Sequence, residues 1–135
     1  MDFDTKIAIV VREDLQTWQK LNVTAFVISG IAGTQNIIGE NYLDKDGAEY
    51  LPMSQQPVLV FSANQEEIKR TFTRASSRDI KMSIYIEELF NTFNDEDNRA
   101  AVKKFKTNEL NIVGIGLRGN KKDIDKVLKG LKLHQ

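Results

Sequence analysis

The chain of 135 residues contains no cysteine, one histidine, two prolines and no excess of charge of either sign. Without cysteine there is no disulfide framework, no thiol nucleophile and no cysteine zinc site, and nothing marks an oxidising compartment. The sole histidine, His134, is the penultimate residue, which leaves a serine triad or a histidine-containing metal site short of a member. No metal and no cofactor are expected. Lysine plus arginine number 19 and aspartate plus glutamate number 19. No net charge therefore draws a polyanion, and nucleic acid is not an expected partner. No apolar run approaches the ~18 residues of a membrane span. The acidic start MDFDTK lacks the basic flank and long apolar stretch of a signal peptide. These absences point to a cytoplasmic protein with no membrane partner.

What is present is an alternation of strands and helices in a length that suits one domain, 1–135. Residues 6–12 (KIAIVVR) form a short β-branched run of the kind buried on both faces, a central strand. It ends in charge and leads directly into a helix-like run over 20–32, and such strand-to-helix junctions are where open α/β sheets bind ligands. In that run Val23, Phe26, Val27, Gly30 and Ile31 draw one apolar stripe. Ala25, Ser29 and Gly33 would give a smooth neighbouring face for close packing. Val23, Thr24, Val27, Ile28 and Ile31 are β-branched and suit a strand as well, so the helix rests on the stripe.

Residues 41–53 read as a small hairpin around an Asp-Lys-Asp-Gly turn. Asp44 and Asp46 resemble the start of a calcium loop, but Gln55 stands where its closing glutamate should be. Pro57 introduces a second strand over 58–61. Asn64 and Glu67 form a capping box for a helix carrying Ile68 and Phe72. Residues 80–86 give a third strand. Asp95 is the expected cap of a short helix with Ala101, Val102 and Phe105 inward. Residues 111–117 give a fourth strand, and Asn120 caps a terminal helix with Ile124, Val127, Leu128 and Leu131 inward. Lys103, Lys104 and Lys106 form a basic cluster, and more lysines crowd the end of the chain. Solvated helix faces, with Asp123 and Asp125 interleaved, are the simpler reading.

Gly114, Gly116 and Gly119 in GIGLRG satisfy a dinucleotide-binding spacing between a strand and a helix. The chain ends after one further helix, without the second parallel strand and acidic residue such a site requires. Close packing of the last strand is the simpler reading. Amides at the helix start near Asn120, with Arg118 and Lys121, are left as an anion site. Carboxylates are the remaining chemistry. Glu87 and Glu88 end the third strand, followed by Asn91 and Thr92. With Glu87 turned toward the cleft and Glu88 toward solvent, Glu87 could act as a base, orient a polar ligand, or pair with Lys20 or Arg12.

In order along the chain, VVREDL, PVLVFSANQEEIKRTFTRA, IKMSIYIEEL and NIVGIGLRGNKKDIDKVLKGLKL resemble the pattern of the type II peptidyl-tRNA hydrolases. WQKLNVTAFVISG, the hairpin and LFNTFNDEDNRAA are similar to the bacterial domain family of unknown function DUF2000, which looks like a divergent branch of that fold. The resemblance implies a three-layer α/β/α domain with a four-stranded mixed sheet, a hairpin insertion and homodimers. It also implies that Lys20 matches a lysine of the hydrolase cleft and that Glu87 falls near its aspartate. QTWQK has no glycine where the hydrolases keep a small turn, and IEELFNT replaces their aspartate-glycine segment.

The first expectation is therefore a non-hydrolytic module for a small polar or anionic ligand, using the cleft between the first strand-helix turn and the end of the third strand. Trp18 forms a wall, or a core or dimer contact. Lys20 and Arg12 supply positive charge. Asn22, Thr24, Glu87, Asn91, Thr92 and Arg118 supply further polar contacts, unless Asn22 and Thr24 cap the helix. The residues leave two other readings open: a divergent peptidyl-tRNA or ester hydrolase with Lys20 and Glu87 as the catalytic pair, and a structural homo-oligomeric protein.

Overall fold

A computed structural model describes residues 3–135, so the start of the acidic segment, Asp2 included, lies outside the described residues. The strand β1, Thr5–Arg12, lies in the middle of the sheet, since Ile7, Ala8, Ile9, Val10 and Val11 are apolar in unbroken succession and all buried. It pairs in parallel with β4 (Val58–Ala63) and antiparallel with β6 (Ile112–Asn120). Next to β6 stands β5, Met82–Ile86, and beyond β4 stands β7, Lys132–Leu133. The sheet is thus five-stranded, in the order β5-β6-β1-β4-β7, not four-stranded as the sequence suggests. The extra strand is two exposed residues reached after Gly130, whose φ of +95° turns the chain back. No apolar pattern announces it.

After β1 comes α1, Thr17–Thr34. Its first turn closes with Lys20 N–H donating to the Gln16 carbonyl, while Gln16 N–H donates to the Gln19 side chain at 2.9 Å. The helix therefore starts before the apolar stripe does. Asn22 and Thr24 lie inside it rather than capping it, and the Thr24 hydroxyl donates to the Lys20 carbonyl. The stripe Val23, Val27 and Ile31 is buried, and it lands on the glycines of β6. A Cβ at Gly116 would stand 2.7 Å from the Val27 carbonyl oxygen, and one at Gly114 would collide with Val23. GIGLRG thus lies within a strand, where its glycines allow close approach of a helix. Ala25, Ser29 and Gly33 are exposed instead of packed. Gly30 of α1 abuts β5 at Ser83, whose hydroxyl donates to the Val27 carbonyl.

Gly119, offset by an odd number of residues from Gly116, faces Ile124 of α4 (Lys121–Val127). Strand alternation therefore places α1 on one face of the sheet and α4 on the other, where α4 meets α2, Gln65–Ser77. The capping box of α2 is complete, with Asn64 Oδ1 accepting from Glu67 N–H at 2.8 Å and Glu67 Oε1 from Asn64 N–H at 2.9 Å. At α4, Lys122 N–H donates to Asn120 Oδ1 and Lys121 N–H to the Asp4 carbonyl. The first two amides of the turn expected to hold an anion are thus already bonded.

A 3-10 turn, Glu87–Asn91, joins β5 to α3, Asp95–Lys103. Its cap is Asn94, which accepts from Asp97 N–H, and not Asp95, which becomes the first residue of an acidic opening turn that suits the helix dipole. No residue of α3 is buried; Ala101 and Val102 rest half-buried on the core, and Phe105 lies past the helix end, exposed. The hairpin pairs β2, Tyr42–Leu43, with β3, Glu49–Tyr50. The Asp44 carboxylate accepts from Asp46 N–H, Ala48 N–H and the Tyr50 hydroxyl. It serves the turn. Among the described residues no helix is long and apolar enough to cross a membrane.

Candidate functional site

A cavity of about 440 Å³ opens between the first turns of α1, the end of β5, the 3-10 turn and the start of α3. Its floor is Tyr85, the fourth residue of β5, and Leu89 of the 3-10 turn, both buried. Trp18, Asn22 and Phe26 line it from α1, at the four-residue spacing that stacks side chains along one helix face. Phe90 completes the wall. The rings meet by edges and tilts: Trp18 and Phe90 have centroids 5.8 Å apart at 70°, Phe26 and Tyr85 5.8 Å at 67°, Tyr85 and Phe90 5.0 Å at 45°. Such contacts hold the rings without stacking face on face. At the rim, Phe93 is 96% exposed and Trp18 56%; the Trp18 indole N–H donates to Gln16 Oε1.

The polar lining is amide and hydroxyl. The Tyr85 hydroxyl donates to Asn22 Oδ1 at 3.4 Å, and burial pushes that phenol above its ordinary pKa, so it remains a donor across the neutral range. The Thr92 hydroxyl bonds the Leu89 carbonyl and Asn98 Oδ1. The charged side chain in the lining is Asp95, ion-paired with Arg99. A second cavity of about 530 Å³ adjoins the first along α1, β5 and α3 and shares Phe26, Tyr85, Leu89, Asp95 and Asn98 with it. The helix α3, with no buried residue, contributes to the walls of both.

Trp18, Asn22 and Thr92 of the sequence candidates line this cavity; the others lie elsewhere. Arg12 is only 7% exposed and donates from Nε and Nη2 to the two Asp14 carboxylate oxygens, each at 2.8 Å, and from Nη1 to Asn111 Oδ1 at 3.1 Å. That bond and ion pair raise the Arg12 pKa and hold the Asp14 carboxyl below the usual carboxylate range. Lys20 Nζ lies 3.2 Å from His134 Nε2. Thr24 is spent on its own helix. Arg118 pairs across from Ile7, near the start of β1, and donates to Gln35 Oε1 at 3.0 Å.

The two glutamates sit opposite to expectation. Glu87 is exposed and accepts from the Asn111 amide, whereas Glu88 is half-buried with Oε1 unpartnered among the described residues. The cause is the 3-10 turn, which begins at Glu87 and ends the two-residue alternation of β5. Among the described residues no ion pair joins Glu87 to Lys20 or Arg12. Asn91 closes the 3-10 turn, exposed and outside the lining.

The site residues missed by sequence reasoning are Phe26, read as core, and Tyr85, Leu89, Phe90, Phe93, Asn94, Asp95 and Asn98. The signal that could have found them is FNTFN, two aromatics among small polar residues just before a helix cap. No serine, histidine or lysine lines the cavity. The lining combines aromatic walls with a few polar groups, the composition common to small-molecule sites.

The sequence profile of a family described as a protein of unknown function, DUF2000, matches residues 5–135. The structure of Atu0240, a protein of unknown function from Agrobacterium tumefaciens strain C58, is similar to this chain at 47% sequence identity and a TM-score of 0.95, covering 99% of this chain and 100% of that one. No curated protein matches the sequence.

Proposed function

Since the chain belongs to the DUF2000 family, whose description assigns no activity, we propose its role from the cavity itself: it is a non-hydrolytic binding module for a small polar ligand with an apolar, preferably planar, body. The observation that carries this reading is the convergence of Trp18, Phe26, Tyr85, Phe90 and Phe93 on one cavity of about 440 Å³ with a buried floor. That volume lies within the range of small-molecule sites. Asn22, Thr92 and Asn98 supply the directional contacts. Arg12, Lys20 and Arg118 stay outside the lining, so the ligand is neutral or cationic here, and the anionic alternative loses its support. The element order also supports the peptidyl-tRNA hydrolase II-like fold as an ancestry, with the extra strand at the sheet edge. Nothing in the placement of Lys20 and Glu87 favours the hydrolase reading.

Trp18 is the sole tryptophan and reports directly on the cavity. Nucleosides, aromatic amino acid amides, acyl esters and the minimal end of an aminoacylated RNA, titrated at fixed salt, should include a ligand that shifts its emission and raises the melting temperature. At about 100 times its dissociation constant such a ligand adds ~2.7 kcal/mol. Asn98→Ala and Phe90→Ala should weaken that ligand at least tenfold while leaving the circular dichroism unchanged. A ligand that binds these variants as well as the wild type refutes this site.

A second reading, a homo-oligomer, is favoured by the hairpin. Tyr42 and Tyr50 face one side of it and Leu43 the other, with Leu51 just past β3; all four are exposed, Leu51 by 84%. A two-stranded hairpin with apolar residues on both faces is marginal in water by itself.

A further inference from the structure

The basic cluster at Lys103, Lys104 and Lys106 takes no part in the aromatic cavity, and its last member lines a separate groove. This groove, about 460 Å³, runs along α2 on the opposite face of the sheet, between that helix and residues 106–112. Phe72, Leu110 and Ile112 form its bed. Thr73 and Ser76 also line it, but their hydroxyls donate to the carbonyls of Lys69 and Phe72 in their own helix. What they leave for the groove is largely methyl and methylene surface. Lys69 stands on one wall and Lys106 on the other. No carboxylate lines the groove, and among the described residues neither lysine takes part in an ion pair. A smaller cavity of about 150 Å³ continues it toward Arg12.

We propose that this groove is a second binding site, for a soluble amphiphilic carboxylate: an apolar chain of medium length lying on Phe72, Leu110 and Ile112, its head between Lys69 and Lys106. Charge complementarity decides the head group. Two ammonium groups on facing walls, with no acid between them, favour an anion, and a lysine can keep its ammonium in water while its stem covers apolar surface. The bed decides the tail, because Phe72, Leu110 and Ile112 are apolar and the Thr73 and Ser76 hydroxyls are turned into the helix, leaving Thr107 and Asn108 beside Lys106 as the other polar side chains of the lining. The volume matches a chain that fills a groove and not a flat membrane contact.

The test uses the full chain and isothermal titration with hexanoate, octanoate and decanoate below their micellar concentrations, and with decanol. Decanoate should bind saturably at one site, with affinity rising about fourfold per methylene, and at least tenfold more tightly than decanol. Lys69→Ala with Lys106→Ala should bring decanoate down to the level of decanol. Thr73→Phe, which fills the groove from an exposed helix position, should abolish both. Absence of saturable decanoate binding overturns the proposal, as does equal binding of decanol by the wild type. Unchanged binding by Thr73→Phe places the tail elsewhere and overturns it too. Capture only by vesicles containing phosphatidylserine, with no response to dispersed decanoate, assigns the face to a membrane and likewise overturns it.

Discussion

Gly116→Ala tests the contact on which the whole α1 face depends. The new methyl group would stand 2.7 Å from the Val27 carbonyl oxygen and 3.2 Å from the Val27 carbonyl carbon. Both are helix backbone, so no rotamer change relieves the overlap; α1 must lift from the sheet. Overpacking of this kind costs ~1–3 kcal/mol, and an obstacle of backbone atoms puts the cost near the upper end. Replacing glycine returns ~0.4–1 kcal/mol through the unfolded chain, leaving a net loss of ~2 kcal/mol and a melting point lower by roughly 6–10 °C. Gly114→Ala differs, since its obstacle is the Val23 side chain. Val23→Ala should therefore offset Gly114→Ala, with a coupling of ~1 kcal/mol or more in a double-mutant cycle, and should not offset Gly116→Ala. Urea unfolding followed by far-UV circular dichroism measures the wild type, the three single variants and the two double variants. A Gly116→Ala variant within ~0.5 kcal/mol of wild type, or equal rescue of both glycine variants by Val23→Ala, refutes the argument.

Asp14 carries a pH dependence of definite sign. Its folded pKa is lowered by the Arg12 hydrogen bond and charge, so its stabilisation is present above the ordinary carboxylate pKa and is lost as pH falls through the folded value. Urea midpoints of wild type and Asp14→Asn should be furthest apart near neutrality and converge below about pH 4; a gap independent of pH would refute the pairing. For the hairpin, sedimentation at micromolar concentration should show a dimer that Leu43→Glu with Leu51→Glu converts to a folded monomer. A wild-type monomer removes the oligomer reading.

The sequence was most legible where pattern and packing coincide. The β-branched α1 was ambiguous by propensity, and its stripe of Val23, Val27 and Ile31 decided correctly because those residues meet glycines that admit a helix. Asn64, Glu67 and Asn120 likewise marked real caps. β7 was illegible, because two exposed residues paired with Phe61 and Ser62 carry no periodicity. Of the residues lining the proposed cavity, the sequence singled out Trp18 and Asn22 at the strand-helix junction and Thr92. Arg12 and Lys20 drew attention as charges near a strand end, yet Asp14 and His134 engage them. Local sequence does not reveal how a charge is satisfied across an element, and it placed Glu87 and Glu88 by a strand alternation that had already ended.

The bareness of α3 separates two kinds of change in this protein. None of its residues is fully buried, while the walls of two cavities depend on where it stands. Substitutions at its exposed positions, away from Ala101 and Val102, therefore cost little folding free energy and alter the shape of the cavities directly. The sheet and α1 are constrained where Gly114 and Gly116 meet Val23 and Val27, whereas the exposed positions of α3 are not. In the proposed site, changes in α3 reshape the cavity at a smaller cost in stability than changes in the sheet or α1.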